Sequence, residues 1–126
     1  MSKLIFVVDD SRTVRASLEY TLKKGGFEVV SADDGQSGLE SLESLKKQGK
    51  RPSMIITDIN MPRMDGITFI KNVKKDASLK FIPILVLTTE SQTQKKMEGK
   101  EAGASGWLVK PFKPEQLMGV VKKFVR

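Results

Sequence analysis

Four apolar runs in this 126-residue chain each stop at a group able to do chemistry. Leu4 to Val8 runs into Asp9-Asp10, and Met54 to Thr57 into Asp58. Ile82 to Thr88 ends in Thr88-Thr89, and Trp107 to Val109 at Lys110-Pro111. A buried strand that halts at a polar residue delivers that side chain to the rim of a sheet. With these strands side by side, three carboxylates, a hydroxyl and an ammonium converge on one rim. Three carboxylates within a few ångströms do not all stay ionised without a cation. The chain has no His and no Cys, so the donors are oxygen only, which selects a hard ion such as Mg²⁺ or Mn²⁺. Mg²⁺ takes one or two carboxylates and keeps several waters, leaving one acid for other work. Asp58, alone on its strand, is the candidate nucleophile. A phosphoryl group arriving there meets the ion, the Lys110 ammonium and the Thr88 hydroxyl. That set stabilises an in-line phosphoryl transfer by charge alone.

Structural roles account for some of these residue types and not others. Asp34 and Asp65 each precede a glycine at a helix start, so capping and turn chemistry explain them. Ser11 already serves as a cap for the first helix, which leaves Asp9 and Asp10 without a capping task. Thr88 has the alternative of an ordinary strand threonine. A lysine closing a buried strand, as Lys110 does, needs an anionic partner.

The elements that must position these groups alternate in type. A second strand is predicted over Phe27 to Ala32, giving five in all. Val14, Leu18 and Leu22 repeat at helical spacing behind Ser11 and stop at Gly25-Gly26. Leu39, Leu42 and Leu45 follow Gly35, and Ile67, Ile70 and Val73 follow Asp65-Gly66. Leu117, Val120, Val121 and Phe124 form a strong last helix with Pro114 in its first turn. The fourth helix, within Ser91 to Gly103, offers only Met97 and Ala102 as core contacts. Gly99 lowers its propensity by about 1 kcal/mol relative to Ala, so this helix is expected to be marginal and mobile. Strands alternating with helices imply an α/β fold, a single parallel sheet covered on both faces by right-handed crossovers.

Bulk properties exclude several classes. The chain is 39% hydrophobic and 29% charged, with 10 Gly and 5 Pro, ordinary values for one globular domain. The apolar start breaks at Asp9-Asp10, too early for a signal peptide, and no run approaches a membrane span. Cytoplasmic location is the expectation, with no membrane partner. The net charge is +7, but many lysines fall late in predicted helices, where they complement the helix dipole. No aromatics interleave with them, so nucleic acid is not expected.

The motifs, taken in order, resemble those of the response-regulator receiver domains of two-component signalling, the CheY-like family. Val7-Val8-Asp9-Asp10-Ser11, Thr57-Asp58-Ile59-Asn60-Met61-Pro62, Met64-Asp65-Gly66, Leu87-Thr88 and Gly103 to Phe112 all fit. The match spans the whole chain. The resemblance implies a flavodoxin-like, doubly wound sheet of strand order 2-1-3-4-5, with Asp58 as the phosphorylated residue. It assigns the metal to Asp10, Asp58 and the backbone carbonyl of Asn60, with Asp9 acting through a water. Lys110 and Thr88 would contact the phosphoryl group, and the Lys110–Pro111 bond would be cis. Asn60 and Glu90 would tune the lifetime of the acyl phosphate. Trp107 stands where the family usually carries Tyr or Phe, a ring that turns inward with the threonine. Its alternative is an indole packed in one position. Thr89, where Ala is common, narrows the same cavity.

The function implied is a stand-alone, monomeric regulator in residues 1–126, with no output domain and no turnover of its own beyond the phosphoryl group. A sensor histidine kinase would donate, and chemotaxis is the favoured pathway. From Ser91 onward there are eight basic and three acidic residues, a net +5. The output surface is therefore expected near the fourth helix, fifth strand and fifth helix, meeting an acidic partner segment. The alternatives are a receiver fragment of a larger regulator, or a Mg²⁺-dependent phosphohydrolase with an aspartyl nucleophile. The second wants an acid two residues after the nucleophile, where this chain has Asn60. A flavodoxin-like nucleotide binder would need a glycine-rich phosphate loop, which the sequence lacks.

Overall fold

The computed structural model describes residues 3–89 and 93–125. Five strands alternate with five helices: β1 (Leu4–Val8), α1 (Arg12–Lys24), β2 (Glu28–Ala32), α2 (Gly35–Lys47), β3 (Met54–Thr57), α3 (Gly66–Lys75), β4 (Ile84–Thr88), α4 (Thr93–Ala102), β5 (Gly106–Val109) and α5 (Pro114–Phe124). The strands form one parallel sheet in the order β2-β1-β3-β4-β5. The central strands β1, β3 and β4 are buried along their whole length, as continuous apolar runs require.

Alternation along each strand splits the core into two layers. Ile5, Val7, Ile56, Leu85 and Leu87 pack against Leu18 and Leu22 of α1 and Leu117 and Val121 of α5. Phe6, Val8, Ile55 and Val86 face Leu42 of α2 and Phe69, Ile70 and Val73 of α3. Among the described residues no helix is long and apolar enough to cross a membrane.

The helix starts follow local chemistry. The Ser11 hydroxyl accepts from Val14 N–H at 3.2 Å, Asp34 from Ser37 N–H at 2.8 Å and Asp65 from Thr68 N–H at 2.8 Å. Each satisfies one of the N–H groups a helix leaves unpaired. Gly26, at φ +94, lets the chain leave α1 in a conformation that side chains resist.

Two expectations need correcting. Strand β4 begins at Ile84 rather than Ile82, because Ile82 N–H closes a turn on Leu79 C=O at 3.0 Å. Met97 is not a core contact: it is 57% exposed. In α4 the buried positions are Gly99 and Ala102, and Met97 lies two residues, about 200°, from Gly99 around the helix. The helix turns its smallest residues inward.

Candidate functional site

Strand register brings the acids together. Val8 pairs with Thr57, so the next residues, Asp9 and Asp58, emerge side by side. Their backbones are pinned: Asp58 N–H donates to Val8 C=O at 3.0 Å and Asp9 N–H to Ala32 C=O at 3.2 Å. Asp9 is 1% and Asp58 8% exposed, while Asp10 faces solvent. One oxygen of Asp58 accepts from Ile59 N–H at 2.7 Å, and one of Asp9 from Ser11 N–H at 2.9 Å. Each buried acid thus keeps an oxygen for other use.

Those remaining oxygens meet Lys110. Its ammonium lies 2.9 Å from Asp9 Oδ2 and 3.4 Å from Asp58 Oδ2. It arrives there because β5 pairs with β4, Thr88 opposite Val109, and Lys110 N–H donates to Thr88 C=O at 2.8 Å. The Lys110–Pro111 peptide is cis. Burial pushes the Asp9 carboxyl above its usual range, against the hydrogen bond from Lys110 that favours its charge. Burial would also lower Lys110, but its hydrogen bond to Asp9 and the charges of Asp58 and Asp9 hold it above normal. The two directions agree with depth: the Asp9 side chain is 2% exposed, that of Lys110 15%.

Asp9, Asp10 and Asp58 each offer an oxygen, all within 4.8 Å of one another. Two oxygens on opposite sides of one Mg²⁺ stand about 4.2 Å apart at an Mg–O distance of about 2.1 Å. The donors are oxygen only and cluster near that span, which suits a hard divalent ion. Three carboxylates against one ammonium also leave an excess of negative charge that such an ion offsets.

Other predicted residues fall around this centre. Thr88 is fully buried at the end of β4. Asn60 is exposed at the start of the loop after β3. Trp107 is partly buried on β5, packed at the edge of the core, and an added Cβ on Gly99 would lie 2.9 Å from its Cζ3. The indole therefore rests against α4 at its glycine. Glu90 lies outside the described residues.

Two supporting residues were not singled out for the site by the sequence, and the first, Arg63, carries no local signal. Arg63 has φ +64, and Met64 N–H donates to Pro62 C=O at 2.7 Å, which makes Arg63 the centre of a γ-turn of the strained hand. Its guanidinium holds the turn by reaching Asp34 at 2.8 and 3.1 Å and the Ser37 hydroxyl at 2.7 Å. That contact keeps the Asp34 carboxyl below its ordinary range. Gly66 N–H donates to Ile59 C=O at 2.7 Å, and a Cβ there would collide with the Asp58 carbonyl. The glycine lets α3 start directly against the Asp58 backbone. Its signal was the Met64-Asp65-Gly66 motif, which reads as capping until the close approach is seen.

Known proteins agree with this geometry. The family model described as "Response regulator receiver domain" matches residues 5–122. Chemotaxis response regulator CheY4 of Vibrio cholerae superposes with a TM-score of 0.89 at 44% identity, over 98% of this chain and 99% of that one. Protein PilG of Pseudomonas aeruginosa is 34% identical over 96% of this chain and 86% of its own length. The Bacillus subtilis regulator PhoP, named for alkaline phosphatase synthesis, is 33% identical over all of this chain, which spans 50% of its length. Acids and lysine at the strand ends, the parallel sheet and a match over nearly the whole sequence agree, and the chain belongs to the response regulator receiver domain family of two-component signalling.

Proposed function

We propose that Asp58 accepts a phosphoryl group from a sensor histidine kinase and that the change in charge alters binding of a downstream protein. The observation that carries this is the Lys110 ammonium set between Asp9 and Asp58 on the rim. In the transfer, an Asp58 oxygen forms a P–O bond as the P–N bond of the donor phosphohistidine breaks, and the electron pair returns to the imidazole. Asp9, Asp10, Asp58 and the Asn60 carbonyl are the residues that would hold Mg²⁺ or Mn²⁺, which supplies positive charge to the phosphoryl oxygens. Lys110 offsets the remainder, and the Thr88 hydroxyl donates to the phosphoryl group. Asn60 and Glu90 sit in the motif beyond the site residues and set how readily water reaches the acyl phosphate.

Phosphorylation adds about two negative charges. Thr88 is drawn toward them, and Trp107 follows by leaving its seat against Gly99, which changes the α4–β5–α5 face. Lys96 and Lys100 line a cavity of about 220 Å³ with Trp107 at this face, which favours an acidic downstream segment. The likeness to CheY4 over nearly its full length favours a stand-alone, monomeric cytoplasmic switch in a chemotaxis-type pathway that performs no turnover on outside substrates. A receiver segment of a longer transcriptional regulator is the second reading, favoured by relatives such as PhoP that are twice this length.

Intact mass after incubation with acetyl phosphate and Mg²⁺ tests the chemistry. A phosphoryl adduct is expected on the parent and none on Asp58→Asn. An adduct that persists in the variant, or steady turnover of an aryl phosphate lost with Asp58, would replace this reading with another.

A further inference from the structure

The sheet topology concentrates positive charge at the end opposite Asp58. Helices that return a parallel strand to its start all end at the same pole. The last turns of α1, α2, α3 and α5 each carry a lysine pair, and helix dipoles account for those. They do not account for Lys3, Arg51 and Lys80, which precede β1, precede β3 and sit in the turn before β4. The acids of that pole are already engaged, Glu28 with Lys50 at 3.6 Å and Asp76 with Lys46 at 2.7 Å.

Lys3 and Arg51 line a groove of about 460 Å³ that reaches Phe81, next to Lys80. Phe81, Phe124 and Val125 line it together with Lys3 and Arg51, and among the described residues no carboxylate does. Phe81 is 79% exposed, the most of any large apolar side chain described, and the Lys80 ammonium stands 5.1 Å from its ring. The turn that presents it is tied to α3: the Lys74 ammonium donates to the carbonyls of Lys80 and Ile82 at 2.8 and 3.1 Å. An exposed aromatic beside a mixed recess that includes Phe124 and Val125, with Lys3 and Arg51 in the lining and Lys80 over the ring, has the anatomy of an anchor pocket.

We propose that this groove docks an acidic protein segment that inserts one apolar side chain between Phe81 and Phe124, its carboxylates meeting Lys3, Arg51 and Lys80. A flat bilayer cannot follow the recess to Val125, which is 8% exposed. A nucleic-acid backbone has no apolar group to fill it. The groove opens at the far end of the sheet from Asp58, so this docking is indifferent to phosphorylation, unlike that of the α4–β5–α5 face. It tethers a partner in both states.

The test is an NMR titration of isotope-labelled protein with a short polyglutamate peptide bearing one central leucine. Saturable shifts at Arg51, Phe81 and Val125 are expected. Binding should weaken about tenfold in Arg51→Glu and in Phe81→Ser, both at exposed positions, and when serine replaces the leucine. It should hold steady with acetyl phosphate and Mg²⁺ and in Asp58→Asn, whatever becomes of the phosphoryl chemistry. Shifts confined to α4 and β5, equal binding of the serine peptide, or tighter binding of phosphatidylglycerol vesicles or a DNA duplex at the groove would each overturn the assignment.

Discussion

The rim around Asp58 and the flank formed by α4 and β5 are built to opposite standards. At the rim, the Asp9 and Asp58 carboxylates each accept from a backbone N–H and meet the Lys110 ammonium, and α3 behind them buries Gly66, Ile67, Phe69, Ile70 and Val73. On the flank, α4 buries only Gly99 and Ala102 among its described residues, while Met97 and Val109 face solvent. The difference is physical economy of motion. Under the proposed function, the site that accepts charge would hold its groups still before the reaction, and the surface that reports the event would need two arrangements of similar energy.

Gly66→Ala should break the rim most severely. Its Cβ would strike the Asp58 carbonyl, so we expect about 3 kcal/mol of destabilisation in urea unfolding, with little adduct formed on what remains folded. Unchanged stability would show that the rim is less constrained than its contacts imply. Arg63→Ala comes next. It leaves a side chain at φ +64 and removes the partner of buried Asp34, for about 2 kcal/mol. Arg63→Gly should recover about 1 kcal/mol of that by relieving the backbone; if glycine is no better than alanine, the turn is not strained.

Gly99→Ala probes the flank, where the same kind of change should cost far less. A helix interior gains about 1 kcal/mol from alanine, but the methyl would stand 2.9 Å from the Trp107 ring. The two effects offset, leaving a net change within about 1 kcal/mol. Relief requires the ring and α4 to move apart, so the emission of the sole tryptophan should shift to the red. An unshifted spectrum with lowered stability would mean that the indole is locked in place.

The smallest effect concerns the tie between α2 and α3. The Lys46 hydrogen bond, with those from Ser78, lowers Asp76 to about 2 from an ordinary 3.8. A depressed carboxyl stabilises the fold fully above its unfolded value and loses that contribution as pH falls through the folded one. Melting temperature should therefore decline between pH 3.8 and about 2, and less so in Asp76→Asn. This pair is surface-exposed, so added salt should shrink the difference.

Local chemistry was legible in the sequence wherever its partners are neighbours. Ser11, Asp34 and Asp65 cap because the N–H they satisfy is three residues away, and each strand ends at its chemical group within one residue. Met97 was misread because apolar character does not fix the phase of a helix; the face that meets β5 does. Arg63 and Asp34 lie 29 residues apart, and nothing in either segment predicts the other.

The sequence by itself determined which groups exist at the strand ends, and so which chemistry is open to the chain, because a strand of known length delivers its last side chain to a known place. Only the packed sheet decided that Lys110 reaches across to Asp9 and Asp58, that Gly66 must lack a side chain, and that scattered lysines collect at one pole. Those outcomes depend on distances between segments far apart in the chain, and such distances are set by register and helix packing together.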